Sequence, residues 1–64
     1  MKKGDTYKYN SLQDVECTLV VLEHDKDFVS FAAIPKEEMK EVFNLSMTIK
    51  NLEDRIRRQE IEKI

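Results

Sequence analysis

Glu23, His24, Asp25 and Asp27 place four potential metal ligands within the five-residue segment EHDKD. Their types suit a cation, but their spacing does not. A calcium loop needs a glycine at its sharp turn and a distal bidentate glutamate, and a zinc site needs further nitrogen or sulfur ligands. His24 is the only histidine and Cys17 the only cysteine. The segment therefore reads as a solvated loop, and neither a metal nor a cofactor is expected. The same scarcity argues against catalysis. One glycine cannot make a glycine-rich phosphate loop, and no nucleophile stands out with a histidine base and an orienting acid. An enzyme is not expected.

Two further groups could recognise nucleic acid. Arg55, Arg57 and Arg58 form a basic cluster, and Tyr7 and Tyr9 could stack the bases of a single strand. Each group also has a plainer explanation. Glu53–Arg57 and Asp54–Arg58 are (i, i+4) pairs in the favourable order for a solvated helix face. Two tyrosines two residues apart share one face of a strand. The chain holds 11 basic and 13 acidic residues, a net charge of −2, which lacks the basic surplus of a general polyanion binder. Cys17 lies in the apolar run CTLVVL, as a small buried hydrophobe would. A lone buried thiol suits a reducing compartment, so a cytoplasmic location is expected. Lys2 and Lys3 lead into GDTYKYNS rather than the apolar core of a signal peptide. The apolar runs fall far short of the roughly 20 residues that cross a bilayer, so no membrane partner is expected.

These residues must be positioned by few elements. The 64 residues read as one small domain, with 1–5 flexible, 6–34 forming a sheet and 35–64 a helix. Thr6–Tyr9 alternates its tyrosines and suggests a short strand, and Asn10, Ser11 and Asp14 supply turn chemistry. Val15–Leu22 is rich in β-branched residues and reads as the best strand; Phe28–Ile34 reads as its hairpin partner. Both faces of that hairpin are apolar, whereas a sheet with one wet face alternates apolar and polar. Something beyond one helix is expected to cover the second face.

Pro35 suits the first position of a helix, and Glu37 and Glu38 favour its first turn. The remaining residues lack glycine and proline, which favours one long helix. A competing reading makes FNLSMTIK a strand by its alternation and opens a new helix at Asn51, with Asp54 completing a capping box. The continuous helix is preferred because a period of three and four collects Val42, Leu45, Ile49, Leu52 and Ile56. As a heptad seam this series puts branched residues at a (Val42, Ile49, Ile56) and Leu45, Leu52 and Gln59 at d, a pattern that favours parallel pairs of helices. Arg55 and Glu60 would then meet across the interface. Met39, Phe43 and Met47 form a second stripe for the hairpin.

The expected architecture is thus α+β, a hairpin or three-stranded sheet followed by one long helix, paired into a homodimer through a short parallel coiled coil. No motif assigns a reaction. The expected role is protein–protein interaction, as an adaptor, regulator or stoichiometric inhibitor of a larger protein partner. Ile61 and Ile64, with Tyr7 and Tyr9, are the candidate contacts. A dimeric nucleic-acid-binding regulator presenting Arg55, Arg57 and Arg58 is one alternative, and a subunit of a larger assembly is another.

Overall fold

The computed structural model describes residues 1–10, 16–36 and 41–64. Its elements run β1 (Thr6–Asn10), β2 (Glu16–His24), β3 (Phe28–Pro35), β4 (Phe43–Thr48), α1 (Ile49–Arg57) and β5 (Ile61–Lys63). All five strands join one antiparallel sheet in the order β4-β3-β2-β1-β5. No helix among the described residues is long and apolar enough to cross a membrane.

The expected β2–β3 hairpin is present, but of EHDKD only Asp25, Lys26 and Asp27 make its connection, since Glu23 and His24 end β2 and pair with Ser30 and Val29. Asp25 Oδ1 accepts hydrogen bonds from the backbone N–H groups of Asp27 and Phe28, each at 2.8 Å. Its own N–H donates to the Phe28 carbonyl at 2.9 Å, so one short acidic side chain closes the turn. The Phe28 and Asp27 donors, in that order, hold the Asp25 carboxyl below its usual range. Between Val21 and Glu23 the register shifts, placing a bulge at Leu22. Thr6–Asn10 is a strand of the same sheet, paired with β2 so that Tyr7 faces Leu19 and Tyr9 faces Cys17.

The pleat sorts the side chains. Tyr7, Cys17, Leu19, Val21, Val29, Phe31, Ala33 and Met47 are buried, and so are Leu52 of the helix and Ile61 of β5. The strand residues in this set share one face, because each is paired with another of the set or lies two residues from one. Phe31 and Tyr7 meet edge to face, with ring centroids 5.9 Å apart. The helix covers this face. It starts beside the β2–β3 turn, where the Ile49 N–H donates to the Asp27 carbonyl at 2.8 Å. Its last turn reaches β1, where Arg55 donates to the Tyr9 hydroxyl. The chain thereby crosses from one edge of the sheet to the other and lays β5 alongside β1.

The C-terminal half departs from the long helix. Pro35 ends β3 instead of opening a helix, FNLSMT is a strand, and among the described residues only Ile49–Arg57 is helical. The alternation of Phe43, Leu45 and Met47 with Asn44, Ser46 and Thr48 decides the conformation. As a strand it aims one set at the core, and β3 offers a free edge to pair with. Asn, Ser and Thr are also weak helix formers. The competing reading placed this strand correctly and its cap wrongly. Thr48 is the N-cap, accepting from the Asn51 N–H at 3.0 Å. The expected Glu37 and Glu38 turn and Met39 lie outside the described residues, as do Ser11, Asp14 and Val15.

The coiled-coil seam goes with the long helix. Val42 is exposed ahead of β4, Leu45 lies on β4, and Ile49, Leu52 and Ile56 are on the helix. Leu52 is buried in the protein's own core, while Gln59 lies past the helix with φ of 65°. Residues on a strand, a helix and a turn cannot form one helical stripe. Arg55 and Glu60, expected across an interface, approach within one chain at 3.6 Å.

Candidate binding face

One helix covers one face, and the other face of the sheet stays open. Register fixes its residues: Val20 lies opposite Thr6 and Ala32, Thr18 opposite Lys8 and Ile34, and Phe28 opposite Thr48. Ile64 joins them through its N–H, which donates to the Thr6 carbonyl at 3.1 Å. Ile64 is 69% exposed, Phe28 56% and Ile34 42%. Leu22 at the bulge is exposed as well. The apolar second face of the hairpin, legible in its residues, is thus left uncovered by the described residues.

The polar groups around it hold each other. Glu16 receives the ammonium groups of Lys8 at 2.9 Å and Lys36 at 3.0 Å. The hydrogen bond from Lys8, then that from Lys36, lowers its carboxyl from the usual value, and Glu16 raises Lys8 in return. Together with Thr18, Ile34 and Ile64, these three residues line a shallow depression of about 430 Å³. Ser30 and Ser46 share a hydroxyl hydrogen bond at 3.1 Å across β3 and β4. The open face is therefore an apolar floor with a charged corner.

No family model, curated protein or solved structure matches this chain. The site rests on its own geometry.

That geometry separates the four candidate contacts. Ile61 is fully buried in the core and Tyr7 nearly so. Tyr9 is half-buried beneath the helix, its hydroxyl accepting from Arg55 Nη1 at 3.1 Å and its ring 5.8 Å from the guanidinium carbon. Only Ile64 is presented at the surface. Phe28, Ile34, Val20 and Ala32 complete the open face and were not among the candidates. Their signal was the even-numbered series Phe28, Ser30, Ala32, Ile34, which continues the apolar second face of β2.

The arginine cluster is largely committed. Arg55 also donates from Nε to the Asn51 side chain at 3.2 Å and lies 3.6 Å from Glu60. Arg58 pairs with Asp54 at 2.9 Å, as its (i, i+4) spacing suggests, and lies 3.9 Å from Glu60. Glu60 Oε2 is buried without a hydrogen bond, so it meets both guanidiniums at ion-pair range only. Arg57 is exposed. Among the described residues no group of three or more His, Cys, Asp and Glu is placed to hold a metal. Cys17 is a buried free thiol.

Proposed function

We propose that this chain is a non-enzymatic protein-binding module, an adaptor or inhibitor, that receives a protein partner on the open face of its sheet. The observation that carries the reading is the exposure of Phe28 and Ile34, at the two ends of β3, and of Ile64 beside β1, all on the face the helix does not cover. Large exposed apolar side chains gathered on one face of a small domain mark an interaction site. The charged corner of Lys8, Glu16 and Lys36 supplies a polar rim of the kind that surrounds an apolar interface core. The nucleic-acid alternative is weaker, because Arg55 and Arg58 are engaged by Asn51, Asp54, Glu60 and Tyr9.

The test is capture of a partner from the native host by the wild-type chain and by Ile34→Ser with Ile64→Ser. Both substitutions lie outside the buried core and should leave the far-UV circular dichroism unchanged. The double variant is expected to lose the captured protein, while Arg57→Ala retains it. Equal capture by wild type and double variant would remove the open face from consideration. Binding of nucleic acid that weakens steeply with salt and is lost in Arg57→Ala would favour the regulator instead.

A further inference from the structure

The two edges of the sheet differ in a way that identifies a second interaction surface. β5 is three residues long and carries Glu62 and Lys63, and Lys63 pairs with Asp5 at 2.9 Å. Short length and charge are the usual devices that keep an edge from pairing with another chain. β4 has neither. Its six residues, FNLSMT, contain no charge and no proline, and they pair with β3 without a bulge. Beside it Val42 is 58% exposed, and Phe43 within it is 48% exposed.

The ladder shows which backbone groups of β4 find no partner among the described residues. Phe28 turns its carbonyl toward β2, accepting from Asp25, and the Lys36 N–H donates to Glu16 of β2. Even-numbered residues of β3 thus face β2, and Val29, Phe31 and Ala33 face β4. They lie opposite Met47, Leu45 and Phe43, which make them the hydrogen-bonded pairs of the β3–β4 ladder. The Ile49 N–H, which donates to Asp27, keeps the same parity. Asn44 and Ser46, with Val42 and the Thr48 N–H at the ends, therefore point outward from the sheet.

We propose that β4 pairs with β4 of a second copy, antiparallel about a two-fold axis at Leu45, so that two sheets become one. The occupant is a second copy because the strand complements itself. An antiparallel pairing that keeps like faces together must match residues of the same parity. Centred on Leu45, it sets Asn44 opposite Ser46, Val42 opposite Thr48, and Phe43 opposite Met47 of the second copy. Every outward-facing pair is then a hydrogen-bonded pair. Leu45 meets its mate at the closer, non-hydrogen-bonded spacing, and a phenyl ring meets a thioether, a favourable contact. Moving the axis by one residue either way leaves an outward group at one end unpaired. No like charges oppose each other within the strand. Such a dimer would also place the two open faces side by side, so a partner could engage both. The pairing stands independently of that use.

Sedimentation equilibrium at micromolar concentration is expected to give twice the chain mass. Amide exchange followed by NMR supplies the specific signature. Asn44 and Ser46 are protected only if the edge is paired, whereas Leu45 and Met47 are protected by β3 in either case. Asn44→Pro removes an outward N–H, a place where a strand edge tolerates proline. It is expected to give a folded monomer in which Ser46 exchanges at least about tenfold faster. Should that variant fail to fold, Asn44→Lys keeps the N–H and sets two ammonium groups near the axis; its dimer is expected to dissociate at least about tenfold more readily. A wild-type monomer at these concentrations overturns the proposal. So does a dimer whose Asn44 and Ser46 amides exchange freely, or an Asn44→Lys chain that dimerises as tightly as the wild type.

Discussion

Ile61 and Ile64 share a residue type and lie three positions apart, yet one is fully buried and the other is the most exposed large apolar side chain among the described residues. On a helix they would share a face; on an extended chain odd and even positions part company. Ile61→Ala is expected to cost about 2–5 kcal/mol, because a cavity would open in the core cluster that Ile61 shares with Leu52 and Tyr7. A domain of this length has roughly 3–10 kcal/mol in total, so much of its stability would go. Ile64→Ala should change stability by less than about 0.5 kcal/mol. Urea unfolding of the two variants checks the contrast. Acid provides a second probe at this scale. The Lys63 side chain and the Lys2 N–H lower Asp5, Lys8 and Lys36 lower Glu16, and the Phe28 and Asp27 N–H groups lower Asp25. A carboxyl depressed by folding contributes stability above its ordinary value, near 3.8 for Asp and 4.5 for Glu, and loses it as pH falls through the folded value. The urea midpoint is therefore expected to be flat above that window and to fall below it. All three groups lie at the surface, so the change is modest. Asp25→Asn, which keeps the turn's acceptor oxygen, should make the acid limb shallower; an unchanged limb would count against the Asp25 contribution.

At the scale of elements, the junction at Thr48 sets the topology. The residue ends a strand whose N–H groups bond outside it and starts a helix whose first N–H groups need a new acceptor. Its hydroxyl supplies one. Thr48→Ala is expected to cost about 1 kcal/mol and Thr48→Ser much less, measured by chemical denaturation. The exit from the helix is made by Gln59 in a left-handed conformation. Gln59→Gly should be neutral or stabilising by up to about 1 kcal/mol, since glycine adopts this conformation without strain. These junctions also explain what could be read in advance. The β2–β3 hairpin was legible because β-branched runs flank a polar turn, and its second apolar face pointed to the surface later found open. The stretch Val42–Ile56 was ambiguous because it satisfies two periods at once. Positions 43, 45 and 47 alternate as a strand, while 42, 45, 49, 52 and 56 fit a helix. A tertiary fact resolves it, the free edge of β3, which local pattern does not contain. Ile61 and Tyr7 were misjudged as surface contacts for a related reason, since β5 exists only once the helix has carried the chain back to β1.

The whole molecule exposes 4910 Å², against roughly 4300 Å² for a compact monomer of this mass. The excess, roughly 600 Å², approaches the roughly 800 Å² that one partner loses in a standard interface. A two-layer design in which a sheet of five strands has one nine-residue helix against it among the described residues is consistent with such an excess. The extents of 34 × 23 × 17 Å describe a slab, and among the described residues one side of the sheet carries the helix while the other carries no further element. Such a surface should bind an apolar fluorescent dye in the native state at neutral pH, without partial unfolding. The distinction is measurable, because a loosened core would also lose its near-UV circular dichroism, and here Tyr7 against Phe31 should keep that signal. Phe28→Lys with Ile34→Lys places two charges on the open face, where their long stems can still cover Val20 and Ala32 while the ammonium groups stay in water. This pair of changes is expected to abolish most dye binding and leave the urea midpoint nearly unchanged. Undiminished fluorescence would locate the accessible apolar surface at Val42 and Phe43 on the β4 edge. Asn44→Pro, which uncovers the β4 edge by blocking its pairing, should raise dye binding at Val42 and Phe43. The two lysines on the open face lower it, so the two variants separate edge from face within one protein.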